Sequence, residues 1–258
     1  MYLSSNIKLG YICIFSVLII GIVIVFLSEP IAQDINYHSF LDQRTVFGIP
    51  NFWNVISNIP FLLVGAMGLY SISMSRIKIQ PEMKLAYTLF FFSISLVAFG
   101  SGYYHLWPDN NSLVWDRLPM TIAFMALFSI VTYEFVSAKV GKVLLWPLII
   151  FGVLSVFYWY QTEIQGEGDL RLYALVQFLP IVLIPLILIF FKSNFNLVHN
   201  YWLLILAYLA AKILEYFDGV IYDSIAALSG HSLKHVVAAF GIYILLKAYN
   251  NRVFQDLE

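Results

Sequence analysis

Three of the five histidines in this chain stand where their side chains could share a metal ion. His231 and His235 are four residues apart, so on a helix their imidazoles lie on one face. His105 ends a separate apolar segment. Three neutral imidazoles that leave a fourth position open are typical of a catalytic zinc ion. The sequence therefore predicts a zinc site made by these three histidines; the alternative is that they are ordinary polar residues near helix ends.

Two further polar residues are expected beside this site. Ser101 lies four residues before His105 and would share its face of a helix. Asp116 follows His105 by eleven residues and precedes Pro119, which suits the first turn of a helix. Asp116 is therefore expected near the start of that helix, at the surface beside the metal. The alternatives for Asp116 are a helix N-cap or a partner for Arg117.

The elements that must position these residues are long apolar segments. Hydrophobic residues make up 61% of the chain and charged residues 11%, against about 25% charged in soluble domains. A membrane-spanning helix needs about 20 apolar residues. Eight segments qualify: 7–28, 51–74, 83–106, 118–138, 142–161, 170–191, 197–217 and 231–249. Together they predict an all-α integral membrane protein.

Composition also excludes some classes of site and partner. Cys13 is the single cysteine, so neither an intramolecular disulfide nor a thiolate metal cluster can form. The net charge is −1, and no basic patch suggests nucleic acid. Any metal ligand must therefore be a histidine, an aspartate or a glutamate.

Basic residues give the predicted orientation, because cytoplasmic loops carry an excess of lysine and arginine. With the N-terminus inside, nine basic residues fall on the cytoplasmic side and three outside. Both termini are then cytoplasmic. His105 and the start of segment 231–249 lie on the outer side, so the three histidines share one depth. Segment 7–28 could alternatively be a signal peptide with Lys8 as its basic flank.

Four short motifs occur in a fixed order along the chain. They are Asn51-Phe-Trp-Asn-Val-Ile-Ser-Asn58, Ser101-Gly-Tyr-Tyr-His105, Asp116-Arg-Leu-Pro-Met120 and His231-Ser-Leu-Lys-His235. This ordered set resembles the alkaline ceramidases, within the wider superfamily of membrane hydrolases that includes progestin and adiponectin receptor-like proteins. The resemblance covers roughly residues 51–250.

The resemblance implies a seven-helix hydrolase core over residues 51–250. The N-terminal transmembrane helix (1–30) is an addition to it, residues 31–50 form an external loop, and 251–258 form a cytoplasmic tail. The resemblance also implies that zinc is bound by His105, His231 and His235. It implies that Asp116 positions or deprotonates the zinc-bound water, and that Ser101 helps stabilise the oxyanion. The implied reaction is amide hydrolysis in ceramide, a lipid taken from the bilayer, which gives a sphingoid base and a fatty acid.

One departure from the family concerns calcium. Eukaryotic alkaline ceramidases carry an acidic calcium site that includes a glutamate immediately before the Phe-Trp-Asn segment. Here that position is Asn51, and the upstream acids of the loop, Asp34 and Asp42, have a different spacing. A calcium site is therefore doubtful, and hydrolysis is expected to persist after calcium-selective chelation.

Three other functions stay open. One is hydrolysis of another lipid amide or ester, and a second is a receptor or sensor whose zinc is structural. A third is a transporter that uses Lys212 and Glu215 in a pathway, although these two residues are interpreted as a structural ion pair within a helix. Asp116 beside the metal favours an enzyme, because structural zinc sites are usually closed by four protein ligands. No internal repeat of the transporter kind is visible.

Overall fold

The computed structural model describes residues 5–225 and 227–254, and within these ranges the chain is helical without a β-strand. The helices are α1 (Ser5–Leu27), α2 (Phe52–Ile56), α3 (Ile59–Ser73), α4 (Lys84–Leu106), α5 (Asn110–Val131), α6 (Ala138–Ile164), α7 (Arg171–Phe190), α8 (His199–Tyr216), α9 (Asp218–Ile225) and α10 (Gly230–Asn251). A π-helical turn, Thr132–Val136, follows α5. The loop between α1 and α2 holds one 3₁₀ turn, Ile35–His38.

Seven spans in the described part of the chain are long and apolar enough to cross a membrane. They correspond to α1, α2 with α3, α4, α5, α6, α7 and α10. The eighth predicted segment, α8, has 18 residues and is not among these seven. The predicted fold class, an all-α membrane bundle, is confirmed.

Helix α5 begins earlier than predicted. Its first residue is Asn110, and Asp109 is the N-cap: the Asp109 carboxylate accepts from the Ser112 backbone N–H at 2.6 Å, and the Ser112 hydroxyl accepts from the Asp109 N–H at 3.1 Å. The predicted start at residue 118 is therefore wrong, because the capping box of Asp109 and Ser112, and not Pro119, sets the start of the helix. Pro119 lies inside the helix, and Asp116 lies well past the first turn rather than at a cap.

Other boundaries also differ from the predicted segments. Segment 51–74 is divided into α2 and α3, and Asn51 begins it in a left-handed conformation with φ of 49°. Helix α6 extends beyond the predicted segment 142–161 at both ends. The short helix α9 was not predicted, because Asp218–Ile225 is too short and too mixed in polarity to give a clear period.

The helices that hold the site pack closely. Helix α4 lies between α3 and α5, while α10 packs on α3 and α8. At Gly100 the contact between α4 and α5 leaves no space for a side chain, because a Cβ there would lie 2.0 Å from the Trp115 carbonyl oxygen. This close approach brings Ser101 on α4 next to Asp116 on α5. Helix α7 packs on α1, α5 and α6, and α8 packs chiefly on α10.

Candidate metal centre and its cavity

The three predicted histidines lie together at one end of the bundle. His105 comes from the last turn of α4, and His231 and His235 come from the first two turns of α10. Their ring centroids form a nearly equilateral triangle with sides of 5.0, 5.1 and 5.2 Å. One nitrogen from each ring lies within 4.8 Å of the other two, and all three side chains are buried or nearly so.

The donor set suits a zinc ion. The Nε2 atoms of His105 and His231 are 3.4 Å apart, and a tetrahedral zinc with Zn–N bonds of 2.0–2.1 Å requires about 3.3 Å between its ligand nitrogens. Imidazole is a common zinc ligand, and three of them leave a fourth position for water or substrate. The three histidines are the candidate metal ligands that the described residues bring together.

Ser57 orients one of these ligands. The Ser57 hydroxyl donates to the Asn54 carbonyl at 3.2 Å and lies 2.8 Å from Nδ1 of His235. With a metal bound to its Nε2, His235 would carry its hydrogen on Nδ1 and donate it to the Ser57 hydroxyl, which would fix the orientation of the ring. Sequence reasoning missed Ser57, although it lies within the quoted motif Asn51–Asn58. The feature of the sequence that could have indicated it is the position of this serine hydroxyl between two apolar helical segments.

Two contacts hold the helix ends that carry the histidines. The Asn51 side chain donates to the carbonyl of His105 at 2.8 Å, and so satisfies an unpaired carbonyl at the end of α4. The carboxylate of Asp218 accepts from the backbone N–H of His231 at 2.7 Å, at the start of α10. Neither role follows from sequence spacing, because both partners come from distant segments.

The loop between α1 and α2 covers the triangle. Phe40 packs with its ring centroid 4.6 Å from that of His105 and 5.2 Å from that of His231. His38 fixes the loop, since its ring nitrogens lie 3.0 Å from the Tyr104 hydroxyl and 3.0 Å from the Asn110 side-chain oxygen. An aromatic ring of the loop therefore packs against two of the three histidines.

Asp116 and Ser101 line the same cavity as the three histidines. Ser101 is 3% exposed, and it follows Gly100, whose backbone lies against Trp115 and Asp116. The interpretation of Asp116 as a helix cap is wrong, because Asp109 fills that role. No ion pair joins Asp116 to Arg117 among the described residues.

The cavity has a volume of about 550 Å³ and runs from this site deep between the helices. Its walls are mostly apolar, and its lining extends along α8 from Glu215 to Tyr201, a distance of about 21 Å at the helical rise of 1.5 Å per residue. Both α7 and α8 line it, and these two helices have few direct contacts with each other. Tyr37 of the loop between α1 and α2 also lines the cavity.

An ion-pair triad lines one wall near the histidines. Lys212 donates to Glu215 at 2.8 Å, which is the predicted pair, and Lys234 donates to the other oxygen of the same carboxylate. Lys234 was not included in the predicted pair. Its position between His231 and His235 placed it on the correct helix end, but only the packing of α10 on α8 brings it to Glu215.

The acids of the loop have partners of their own. Asp34 accepts from the Asn36 N–H and caps the 3₁₀ turn. Asp42 is 1% exposed, and Arg44 donates to it through its backbone N–H, Nε and Nη2 at 3.2, 2.8 and 2.6 Å. Burial raises the pKa of Asp42, but the hydrogen bonds and charge of Arg44 outweigh this and hold the pKa below its ordinary value. Independence from calcium stays a prediction.

The comparison with protein families agrees with this geometry. A family model described as Ceramidase matches residues 45–252, which is most of the chain and contains all four motifs. Among curated proteins, none matches the chain. The match confirms the resemblance to the alkaline ceramidases that the motifs suggested.

Proposed function

The chain belongs to the Ceramidase family, and we propose that it is a zinc-dependent membrane hydrolase that cleaves the amide bond of ceramide or a ceramide-like lipid. The observation that carries the proposal is the triangle of His105, His231 and His235 beside Asp116, at the polar end of a deep apolar cavity. The products would be a sphingoid base and a fatty acid.

The three imidazoles would hold the metal through one nitrogen each. A zinc ion bound there would supply a water molecule of lowered pKa and a Lewis acid for the substrate carbonyl. Asp116 takes a proton from the attacking water and returns it to the amide nitrogen as the C–N bond breaks. Ser101 donates a hydrogen bond to the carbonyl oxygen, where negative charge develops in the transition state.

The cavity suits a lipid in size and in polarity. Ligand pockets typically measure about 300–1,000 Å³, and this one lies within that range. Its polar groups cluster at the histidine end, while Phe90, Phe124 and Ile184 line its depth. A lipid amide would bind with its head at the histidines and an acyl chain between the helices. The gap between α7 and α8 offers a route from the bilayer.

A receptor with a structural zinc is the second candidate function. Structural zinc sites are usually closed by four protein ligands, and here three histidines converge while a carboxylate lies beside them. The arrangement therefore favours catalysis. Hydrolysis of another lipid amide or ester uses the same groups, so it differs from the proposed function only in substrate.

Asp116→Asn tests the catalytic proposal. The variant should fold and keep its zinc, because Asp116 neither caps a helix nor belongs to the histidine triangle. Its single-turnover release of fatty acid from ceramide should fall about a hundredfold to ten-thousandfold, the typical contribution of a general base. Asp109→Asn is the matched control on the same helix and should stay near wild type, since asparagine caps a helix about as well as aspartate. Near-normal turnover by zinc-loaded Asp116→Asn would refute the role of Asp116.

We also propose that the histidine end faces away from the cytoplasm, from the excess of basic residues at the opposite end. A reporter fused after residue 258 should be cytoplasmic, and one inserted at the exposed Gly166, in the loop after α6, should be external. The reverse pattern would move the site to the cytoplasmic face without changing its chemistry.

A further inference from the structure

Arg117 is a buried cation in the wall of the reaction cavity. It follows Asp116 on α5, is 5% exposed and lines the same cavity as the three histidines. Its Nη2 donates to the side-chain oxygen of Gln33 at 2.5 Å. Its Nη1 is buried and has no hydrogen-bond partner in the described part of the chain.

The other buried arginine of the described chain, Arg252, has an acidic partner, since it lies 2.6 Å from Glu134. The half-buried Arg171 likewise lies 2.8 Å from Asp169. No carboxylate lies within 4.0 Å of Arg117 among the residues described. A buried charge without a counter-charge is strongly unfavourable, and the amide of Gln33 is neutral. Nη1 of Arg117 is therefore suited to bind a negatively charged group that this chain does not itself supply.

The surroundings of the guanidinium restrict how a ligand can approach. Its central carbon lies 4.0 Å from the ring centroid of Trp159 and 4.6 Å from that of Tyr173. The two rings offset part of the desolvation of the charge. Nη1 is the part of the group that is left without a hydrogen-bond partner among the described residues. Edge-on, in-plane contact is the geometry in which arginine binds a carboxylate.

We propose that Arg117 binds the carboxylate of a lipid in the cavity. This carboxylate has two possible sources. One is the head group of an acidic lipid amide, which would define the substrate class. The other is the fatty acid that hydrolysis releases: water adds its oxygen to the carbonyl carbon, the C–N bond breaks, the nitrogen takes a proton, and the acid ionises. The second source rests on the proposed hydrolysis, whereas the binding of a carboxylate does not.

The first experiment measures binding to the purified, zinc-loaded full chain. Palmitate and N-palmitoylglycine are compared with hexadecanol, which has an equal chain and no charge. Arg117→Gln should weaken binding of both acids about tenfold to a hundredfold, as expected for hydrogen bonds to a charged group, and should affect hexadecanol less. Arg117→Lys should give an intermediate loss, because it keeps the charge but not the fork. The control Arg76→Gln, at an exposed arginine near the opposite end, should change nothing.

The second experiment distinguishes the two sources. It compares kcat/KM for N-palmitoylglycine with kcat/KM for N-palmitoylethanolamine, and it measures inhibition by palmitate. If the head group is the ligand, Arg117→Gln lowers kcat/KM for N-palmitoylglycine relative to kcat/KM for N-palmitoylethanolamine. If the product is the ligand, the ratio of these two values is unchanged in Arg117→Gln, and inhibition by palmitate is lost.

Unchanged binding of both acids in folded Arg117→Gln and Arg117→Lys would overturn the proposal, whatever the hydrolysis assay gives. A wild type that cleaves no lipid amide would contradict the proposed function alone, because the binding experiment would still decide the role of Arg117.

Discussion

Two polar clusters lie at opposite ends of this helical bundle, and they differ in how their hydrogen bonds are used. The cluster at the end where α10 finishes joins Glu134 to Arg252 and three tyrosines, Tyr87, Tyr201 and Tyr249. The cluster at the other end consists of the three histidines, Asp116, Ser101 and the cationic side chains that line the same cavity. Both are buried in an apolar bundle, where an unsatisfied polar group is costly.

In the Glu134 cluster the polar groups satisfy one another. The Glu134 carboxylate accepts from Tyr87, from Tyr201 at 2.8 Å and from Arg252 at 2.6 Å. Arg252 also donates to the Lys78 carbonyl at 2.6 and 3.0 Å and stacks on Phe195 at 3.8 Å. Such a network joins α4, the π-helical turn after α5, α8 and the end of α10, and it is suited to stabilising the packing of these elements.

The histidine cluster instead keeps polar atoms without partners. Nδ1 of His105 and Nη1 of Arg117 are buried and unpaired among the described residues, and the three histidine nitrogens converge on one point. A network that satisfies itself stabilises a fold, whereas unsatisfied groups that face a cavity are available to a ligand. We propose on this ground that the Glu134 cluster is structural and the histidine cluster catalytic, and the comparison can be tested.

The largest expected effect comes from the metal ligands. His231→Ala and His235→Ala each remove one of three donors, so each should lose most of the zinc, about one ion per chain, and with it nearly all hydrolysis. Elemental analysis of the purified protein measures the zinc. The exposed His199, at the start of α8, is the matched control, and His199→Ala should retain the metal. Full zinc content in both ligand variants would contradict the site.

The Glu134 cluster should respond in stability rather than in zinc content. Glu134→Gln leaves Arg252 buried without its counter-charge, which typically costs about 3–5 kcal/mol. Thermal unfolding in detergent measures the loss. Glu82→Gln is the control, because Glu82 is exposed and also accepts from a tyrosine, Tyr133. If folded Glu134→Gln binds zinc normally but does not hydrolyse lipid, the Glu134 cluster contributes to the reaction as well as to stability, and the contrast between the two clusters is wrong.

The smallest effect is expected at Ser57. Ser57→Ala removes the group that orients His235, and loss of such a partner typically lowers metal affinity about tenfold to a hundredfold. Competition with a zinc chelator gives the affinity. The control is Ser73→Ala at the far end of α3, where the exposed hydroxyl bonds to a backbone carbonyl, and it should have no effect. An unchanged zinc affinity in Ser57→Ala would show that His235 needs no orientation.

Much of the fold and part of the site follow from the sequence by itself. Apolar length predicts the helices, because a bilayer requires about 20 such residues in a row. The four-residue spacing places His231 and His235 on one face, because the helical repeat is local and fixed. The shared depth of His105 follows from counting spans. The helix start at Asn110 was predictable in principle from Asp109 and Ser112, but Pro119 gave the stronger and misleading signal.

Only the tertiary structure decided which distant residues meet. Arg252 pairs with Glu134 across 118 positions, Ser57 meets His235 across 178, and Arg117 reaches Gln33 across 84. No periodic pattern links such residues, since their contacts depend on how whole helices and a loop pack. Gly100 illustrates the reason, because the separation of Ser101 from Asp116 is fixed by how closely α4 can approach α5. The sequence identifies the residues that are able to do chemistry, and packing determines which of them have polar atoms left without a partner in the protein.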